Sequence, residues 1–181
     1  MTTHTRGAAL AAAALLCLAT TSSAFAHITL ETGEASPNST YKAVLRVGHG
    51  CEGKPTTAVR VRIPEGVIAV KPMPKPGWQL ATKEGKYAQS YDYYGTPLTE
   101  GVTEIAWSGG ELPDAWYDEF VFRGRLTGFA PGTVVYFPVV QECPDGAVER
   151  WIEIPAPGKG EDDYESPAPG VKIVDRPAAA D

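Results

Sequence analysis

Histidine is scarce in this chain. Of three, only His27 and His49 lie beyond the first 26 residues. There is no His-x-x-x-His and no Cys-x-x-Cys pair, so the common spacings of zinc sites are missing. There is no glycine-rich phosphate loop and no Gly-x-Ser-x-Gly elbow. A Ser/His/Asp triad would need one of the two histidines, and no pattern around either supports it. Acids are plentiful, so a carboxylate pair for glycoside hydrolysis is the one common catalytic device that composition leaves open. Basic residues are outnumbered, 16 Lys and Arg against 22 Asp and Glu. Such a surface suits nucleic acid poorly, because phosphate binding needs clustered cations. After residue 26 no apolar run is long enough to span a bilayer.

The one long apolar run lies at the start. Met1–Arg6 carries a single charge, Arg6, and Gly7–Thr20 is almost wholly apolar at about 14 residues, short of the roughly 20 a spanning helix needs. Ala24 and Ala26 then occupy the Ala-x-Ala positions that signal peptidase reads. Residues 1–26 are therefore expected to be a cleaved secretory signal. The mature protein would start at His27, lie in the periplasm or be secreted, and have no membrane span. Without Arg6 it would hold 15 basic and 22 acidic residues in 155, a formal charge of −7. Cys17 would leave with the signal, and Cys51 and Cys143 would remain as an even pair in an oxidising compartment. A disulfide is the natural reading. It would close a loop of roughly 90 residues, for which the chain-entropy model gives about 4–5 kcal/mol.

The remaining sequence is rich in strand signals and shows no sustained helical period. Tyr41–Val47 alternates, with Tyr41, Ala43, Leu45 and Val47 on one face. Thr57–Ile63 alternates more cleanly, with Val59, Val61 and Ile63 inward and Arg60 and Arg62 outward. Further strands are expected at Val67–Val70, Trp78–Lys83, Tyr87–Tyr93, Val102–Ser108, Phe120–Thr127, Thr133–Glu142 and Val148–Ile154. Clusters such as Lys71-Pro-Met-Pro-Lys-Pro-Gly77 separate them. Pro138 inside one run points to an edge or a bulge. The pattern predicts an all-β fold, an antiparallel β-sandwich over residues 27–156. Residues 157–181 form a Pro- and acid-rich strap and tail, in which Val171–Val174 could dock as one last short strand.

His27 gains chemistry from its place after the cleavage site. A histidine at a free N-terminus offers its α-amine and its imidazole to one metal ion. The amine's reference pKa is near 8, so losing its proton at neutral pH costs about 1 kcal/mol. Two nitrogens with a carboxylate favour Cu(II), which heads the divalent affinity order and accepts tetragonal N,O geometry. On position alone, the alternative is that some residue must follow the cleavage site and it is a histidine here.

His27-Ile-Thr-Leu30 after the Ala-x-Ala site, and then His49-Gly-Cys-Glu-Gly-Lys-Pro-Thr-Thr-Ala-Val59, resemble the YcnI-type copper-binding domain family. So do Gly77-Trp78, Phe120, Pro131-Gly132-Thr133, Gln141-Glu-Cys143, Val148-Glu-Arg-Trp151 and Ser166-Pro-Ala-Pro169. The resemblance covers essentially all of the chain after residue 26, and its most specific block is His49–Thr57. It implies a cupredoxin-like or immunoglobulin-like sandwich with a monohistidine brace for Cu(II). In that pattern the N-terminal histidine falls on His27, the glutamate that gives an oxygen on Glu52, and the tryptophan beside the metal on Trp151. His49 is expected near the metal rather than on it. Met73, the only methionine after the signal, is one thioether and makes no Cu(I) site. The expected function is a non-enzymatic, exported copper carrier, with no catalytic residue and with a membrane copper transporter or copper chaperone as candidate partner. The alternatives are a metal-free interaction module and a copper-dependent oxidative enzyme, for which His49 is the only candidate second histidine.

Overall fold

The computed structural model describes residues 27–175, so the expected signal lies outside the described residues. Twelve strands follow in chain order: β1 Thr29–Leu30, β2 Glu34–Ala35, β3 Thr40–Val47, β4 Thr56–Arg62, β5 Val67–Pro72, β6 Gln79–Tyr93, β7 Thr96–Leu112, β8 Asp118–Leu126, β9 Val134–Tyr136, β10 Val139–Glu142, β11 Val148–Trp151 and β12 Gly170–Ile173. Single 3-10 turns at Pro144–Gly146 and Glu161–Asp163 are the only helical elements among the described residues.

The strands make two large sheets and one small one. The first has the order β1-β3-β8-β5, the second β11-β10-β4-β7-β6, and the third β2-β12-β9. Pairing in both large sheets is antiparallel throughout. Period-two patterning decides which side chains go inside. In β3, Ala43, Leu45 and Val47 are buried; in β4, Val59 and Val61 are buried while Arg60 and Arg62 reach solvent. These residues join Phe120 and Phe122 of β8 and Ile105 and Trp107 of β7 in one core between the large sheets. Trp107 meets Phe120 with ring centroids 5.6 Å apart, an aromatic contact linking the two layers. The architecture is the expected all-β sandwich, and Cys51 and Cys143 are joined, with Cα atoms 6.0 Å apart.

The elements differ from the sequence expectation at several places: the strand expected over Val148–Ile154 ends at Trp151, and that expected over Val102–Ser108 runs from Thr96 to Leu112. Thr133–Glu142 is two strands, not one. β9 pairs with β12 in the small sheet and β10 with β4 in the second large sheet. The break falls at Phe137-Pro138: Phe137 N–H donates to Pro169 O, while Pro138 O accepts from Arg62 N–H. Proline has no N–H to continue a ladder, so the chain changes sheet there. The segments expected at 78–83 and 87–93 are the single long β6, paired to β7 through two register shifts. The two-residue strands β1 and β2 are too short to show a period. β12 places Val171 and Ile173 in the core and pairs parallel to β2.

Candidate metal centre

The register of β1 against β3 sets the position of His27. Thr29 pairs with Arg46 and Leu30 with Leu45. Continued back two residues, this antiparallel register brings His27 level with Gly48-His49. Ile28 is 3% exposed and anchors the segment, leaving His27 half-buried beside it.

Trp151 is brought in from the other large sheet. It ends β11, where it pairs with Val139 of β10, and is 3% exposed. Its ring lies 5.6 Å from the His27 ring and 6.0 Å from the His49 ring, centroid to centroid. Two imidazoles therefore flank one buried indole. The His49 ring has a defined orientation: Nδ1 lies 2.5 Å from Gly50 O. A carbonyl only accepts, so Nδ1 donates in this bond. An N–H donated to a backbone carbonyl is also how metal-ligating histidines are commonly held.

Gln141 fixes this arrangement and was not singled out from the sequence. It is fully buried in β10, on the inward side with Val139. Its Nε2 donates to His49 O and to Thr56 Oγ1, both at 2.6 Å. Its Oε1 accepts from Trp151 Nε1 at 3.2 Å. One amide thus satisfies the indole N–H and the His49 carbonyl at once, as buried polar groups require. The signal was present in Val139-Val-Gln-Glu142: a polar side chain at an inward position of an apolar strand.

Glu52 sits at the tip of a tight turn. Cys51 N–H donates to Lys54 O at 3.1 Å and Lys54 N–H to Cys51 O at 2.9 Å. Both central residues have positive φ, 50° at Glu52 and 80° at Gly53, as in a type I′ turn. Glycine adopts that conformation freely, whereas a β-carbon makes it cost about 1 kcal/mol or more. Asparagine, aspartate or glycine is the usual occupant of the first central position. A glutamate held there is an observed strain that its position in the fold must offset. The turn is fixed from several sides. Cys51 is bonded to Cys143, Gly50 N–H donates to Asp114 Oδ1 at 2.9 Å, and Lys54 pairs with Asp145 at 3.3 Å. Gly50 lies so close to the Lys54 carbonyl that a β-carbon there would overlap it.

The ring contacts thus join His27, His49 and Trp151. Glu52 stands exposed on the adjoining turn, its Cα within about 11 Å of that of His49, three steps of 3.8 Å. Among the described residues no cluster of three or more His, Cys, Asp and Glu side chains forms a ready-made metal cage. A brace is a different donor set. It draws on two side chains, those of His27 and Glu52, and on the α-amine that cleavage would create, and the residues at this end of the sandwich fit that set in kind.

A family model described as "Domain of unknown function (DUF1775)" matches residues 27–173. No curated protein matches. Among solved structures, the chain is similar to an uncharacterized protein from Nocardia farcinica whose crystal structure reveals an immunoglobulin-like fold. The two share 24% sequence identity with a TM-score of 0.60, over 82% of this chain and 98% of that chain. That likeness concerns the fold.

Proposed function

The chain belongs to the DUF1775 family, the family of YcnI-type domains, and from that membership we propose that it is an exported Cu(II)-binding protein that stores, delivers or detoxifies copper. The observation that carries the reading is the contact of the His27 ring with the buried indole of Trp151. His27 would bind copper through its α-amine and imidazole, and Glu52 would add an oxygen. Trp151, its N–H tied to Gln141, would cover one side of the ion and exclude water. The disulfide and the Asp114–Gly50 hydrogen bond hold the Glu52 turn before metal arrives, which lowers the ordering cost of binding. Copper is cargo here, and the proposal assigns no catalytic residue.

The test is Cu(II) titration of the exported protein and of its His27→Ala and Glu52→Gln variants, read by competition with a chelator of known affinity and by electron paramagnetic resonance. Each substitution should weaken binding at least tenfold and change the copper spectrum. An unchanged spectrum in Glu52→Gln would remove Glu52 from the site.

One observation favours a second reading, copper-dependent oxidation. The His49 ring lies edge-on to the same indole as His27, at 6.0 Å, so a second imidazole stands beside the first. Reductant- or peroxide-driven cleavage of a polysaccharide by the copper-loaded protein would establish that reading; its absence would leave the carrier.

A further inference from the structure

We propose that the outer face of the β1-β3-β8-β5 sheet is a docking surface for a bilayer containing anionic phospholipid, separate from the metal centre. Arg123 of β8 pairs in register with Lys42 of β3 on one side and with Lys71 of β5 on the other. All three side chains are exposed. They form one row across three adjacent strands, about 10 Å long at 4.8 Å per strand. Like charges directly opposite in a sheet are destabilising. Among the described residues, none of the three belongs to an ion pair. The second large sheet has a comparable row, Lys83–Glu104–Arg62, in which an acid separates the cations. That alternation is what stability alone favours. The unalternated row is kept in a chain with a formal charge of −6, and it matches an anionic partner.

The face also carries exposed apolar groups beside the cations, which a soluble phosphate would not use. A groove of about 390 Å³ runs along Lys42, Lys71 and Arg123 and is walled by Pro72, Met73 and Pro74. The backbone of Met73 is fixed by its N–H to Val121 O at 2.8 Å and by Trp107 Nε1 to its carbonyl at 3.0 Å. Its side chain is nevertheless 52% exposed. A rigid backbone thus holds a flexible apolar side chain out into solvent. One step along the face, Arg125 lies 5.2 Å from the ring of Tyr94, which is 77% exposed. Cations interleaved with exposed Met and Tyr make up the pattern of an interfacial surface. The charges meet phosphates, their aliphatic stems lie along the apolar groups, and the methionine and the tyrosine ring enter the headgroup layer. Lys42 lies five residues before Val47, about 17 Å along β3, so docking would leave the His49 end of the strand open. The proposal stands whether or not the metal centre binds copper.

The experiment is sedimentation with vesicles, using protein recovered from the exported fraction with its N-terminus verified by mass spectrometry. Vesicles of phosphatidylglycerol and phosphatidylcholine should bind it at 10 mM salt, and pure phosphatidylcholine should not. Each surface cation contributes about fivefold, so Arg123→Glu, a change of two charges, should weaken binding about 25-fold. Lys83→Glu, the same change on the other sheet, should alter it less than twofold. Met73→Ser should weaken binding severalfold without changing its salt dependence. Circular dichroism should show both charge variants folded. Three results would each overturn the proposal: no binding to anionic vesicles at low salt, equal loss in Arg123→Glu and Lys83→Glu, or capture of a poly-glutamate peptide or glycerophosphoglycerol without capture of vesicles.

Discussion

Replacing Gln141 by leucine tests the geometry of the candidate centre without touching a proposed ligand. The side chain is fully buried and serves three partners: His49 O, Thr56 Oγ1 and Trp151 Nε1. Leucine is close in volume, so little cavity forms. The indole N–H and the His49 carbonyl, however, lose the bond that Gln141 supplies, and the Thr56 oxygen loses the N–H it accepts, a smaller loss for a hydroxyl that still has its own O–H to donate. A stranded buried donor or acceptor costs about 1–3 kcal/mol. Two of them give a loss of about 2–5 kcal/mol. For a domain of this size, 1 kcal/mol moves the melting temperature by about 2–4 °C, so thermal unfolding followed by circular dichroism should shift down by about 5–15 °C. Gln141→Glu adds a pH dependence. It keeps an acceptor for Trp151, but an ionised carboxylate cannot donate to His49 O, and burial raises the pKa of such a group. A raised folded-state pKa means stability is present at low pH and lost as pH rises. The Gln141→Glu variant should therefore approach the parent below about pH 4 and fall away toward neutrality. A Gln141→Leu melting temperature within 2 °C of the parent would refute the hub, as would a Gln141→Glu profile parallel to the parent's.

Further outcomes follow from the same structure. Gly50→Ala should cost about 2–3 kcal/mol in thermal unfolding, because the new methyl overlaps the Lys54 carbonyl and the Cys51–Lys54 turn must move; an unshifted transition would mean that the turn yields freely. Reducing Cys51–Cys143, 92 residues apart, should remove about 4–5 kcal/mol. With a slope of about 2 kcal/mol per molar, the urea midpoint should drop by about 2 M, and an unchanged midpoint would contradict the estimate. Tyr41 is buried and donates to Thr32 O at 2.5 Å. Burial, and secondarily the charge of Glu31, raise its hydroxyl well above the ordinary tyrosine value. The folded state therefore holds this proton longer than the unfolded chain, so its contribution is complete below about pH 10 and is lost as pH rises above that. Tyr41→Phe should flatten this alkaline decline; an equally steep decline would assign it to other groups.

What could be read from the sequence depended on whether the signal was local. β4 announces itself, because Val59, Val61 and Ile63 alternate with Arg60 and Arg62, and the structure buries and exposes them accordingly. The split of β9 from β10 was half legible: Pro138 marks a break, but nothing local says that the chain changes sheets. β1 has two residues and owes its position to pairing with β3. At the candidate centre, His27, Glu52 and Trp151 were proposed from an expected cleavage site and a family resemblance. The juxtaposition of His27, His49 and Trp151 was not readable, since it depends on strands from two sheets. Gln141 could have been suspected from its inward polar position. The Asp114–Gly50 hydrogen bond, 64 residues apart in sequence, had no local signal. The positive φ of Glu52 had none either, because the usual turn residue at that place is not glutamate.

The proposed copper site depends on signal removal creating a metal ligand. The most direct measurement compares Cu(II) affinity, at pH 7.5 against a competing chelator, for protein beginning at His27 and for the same protein with one alanine before His27. The extended form should bind at least a hundredfold more weakly, because the α-amine no longer closes a chelate ring with the imidazole. Equal affinity in the two forms would contradict it.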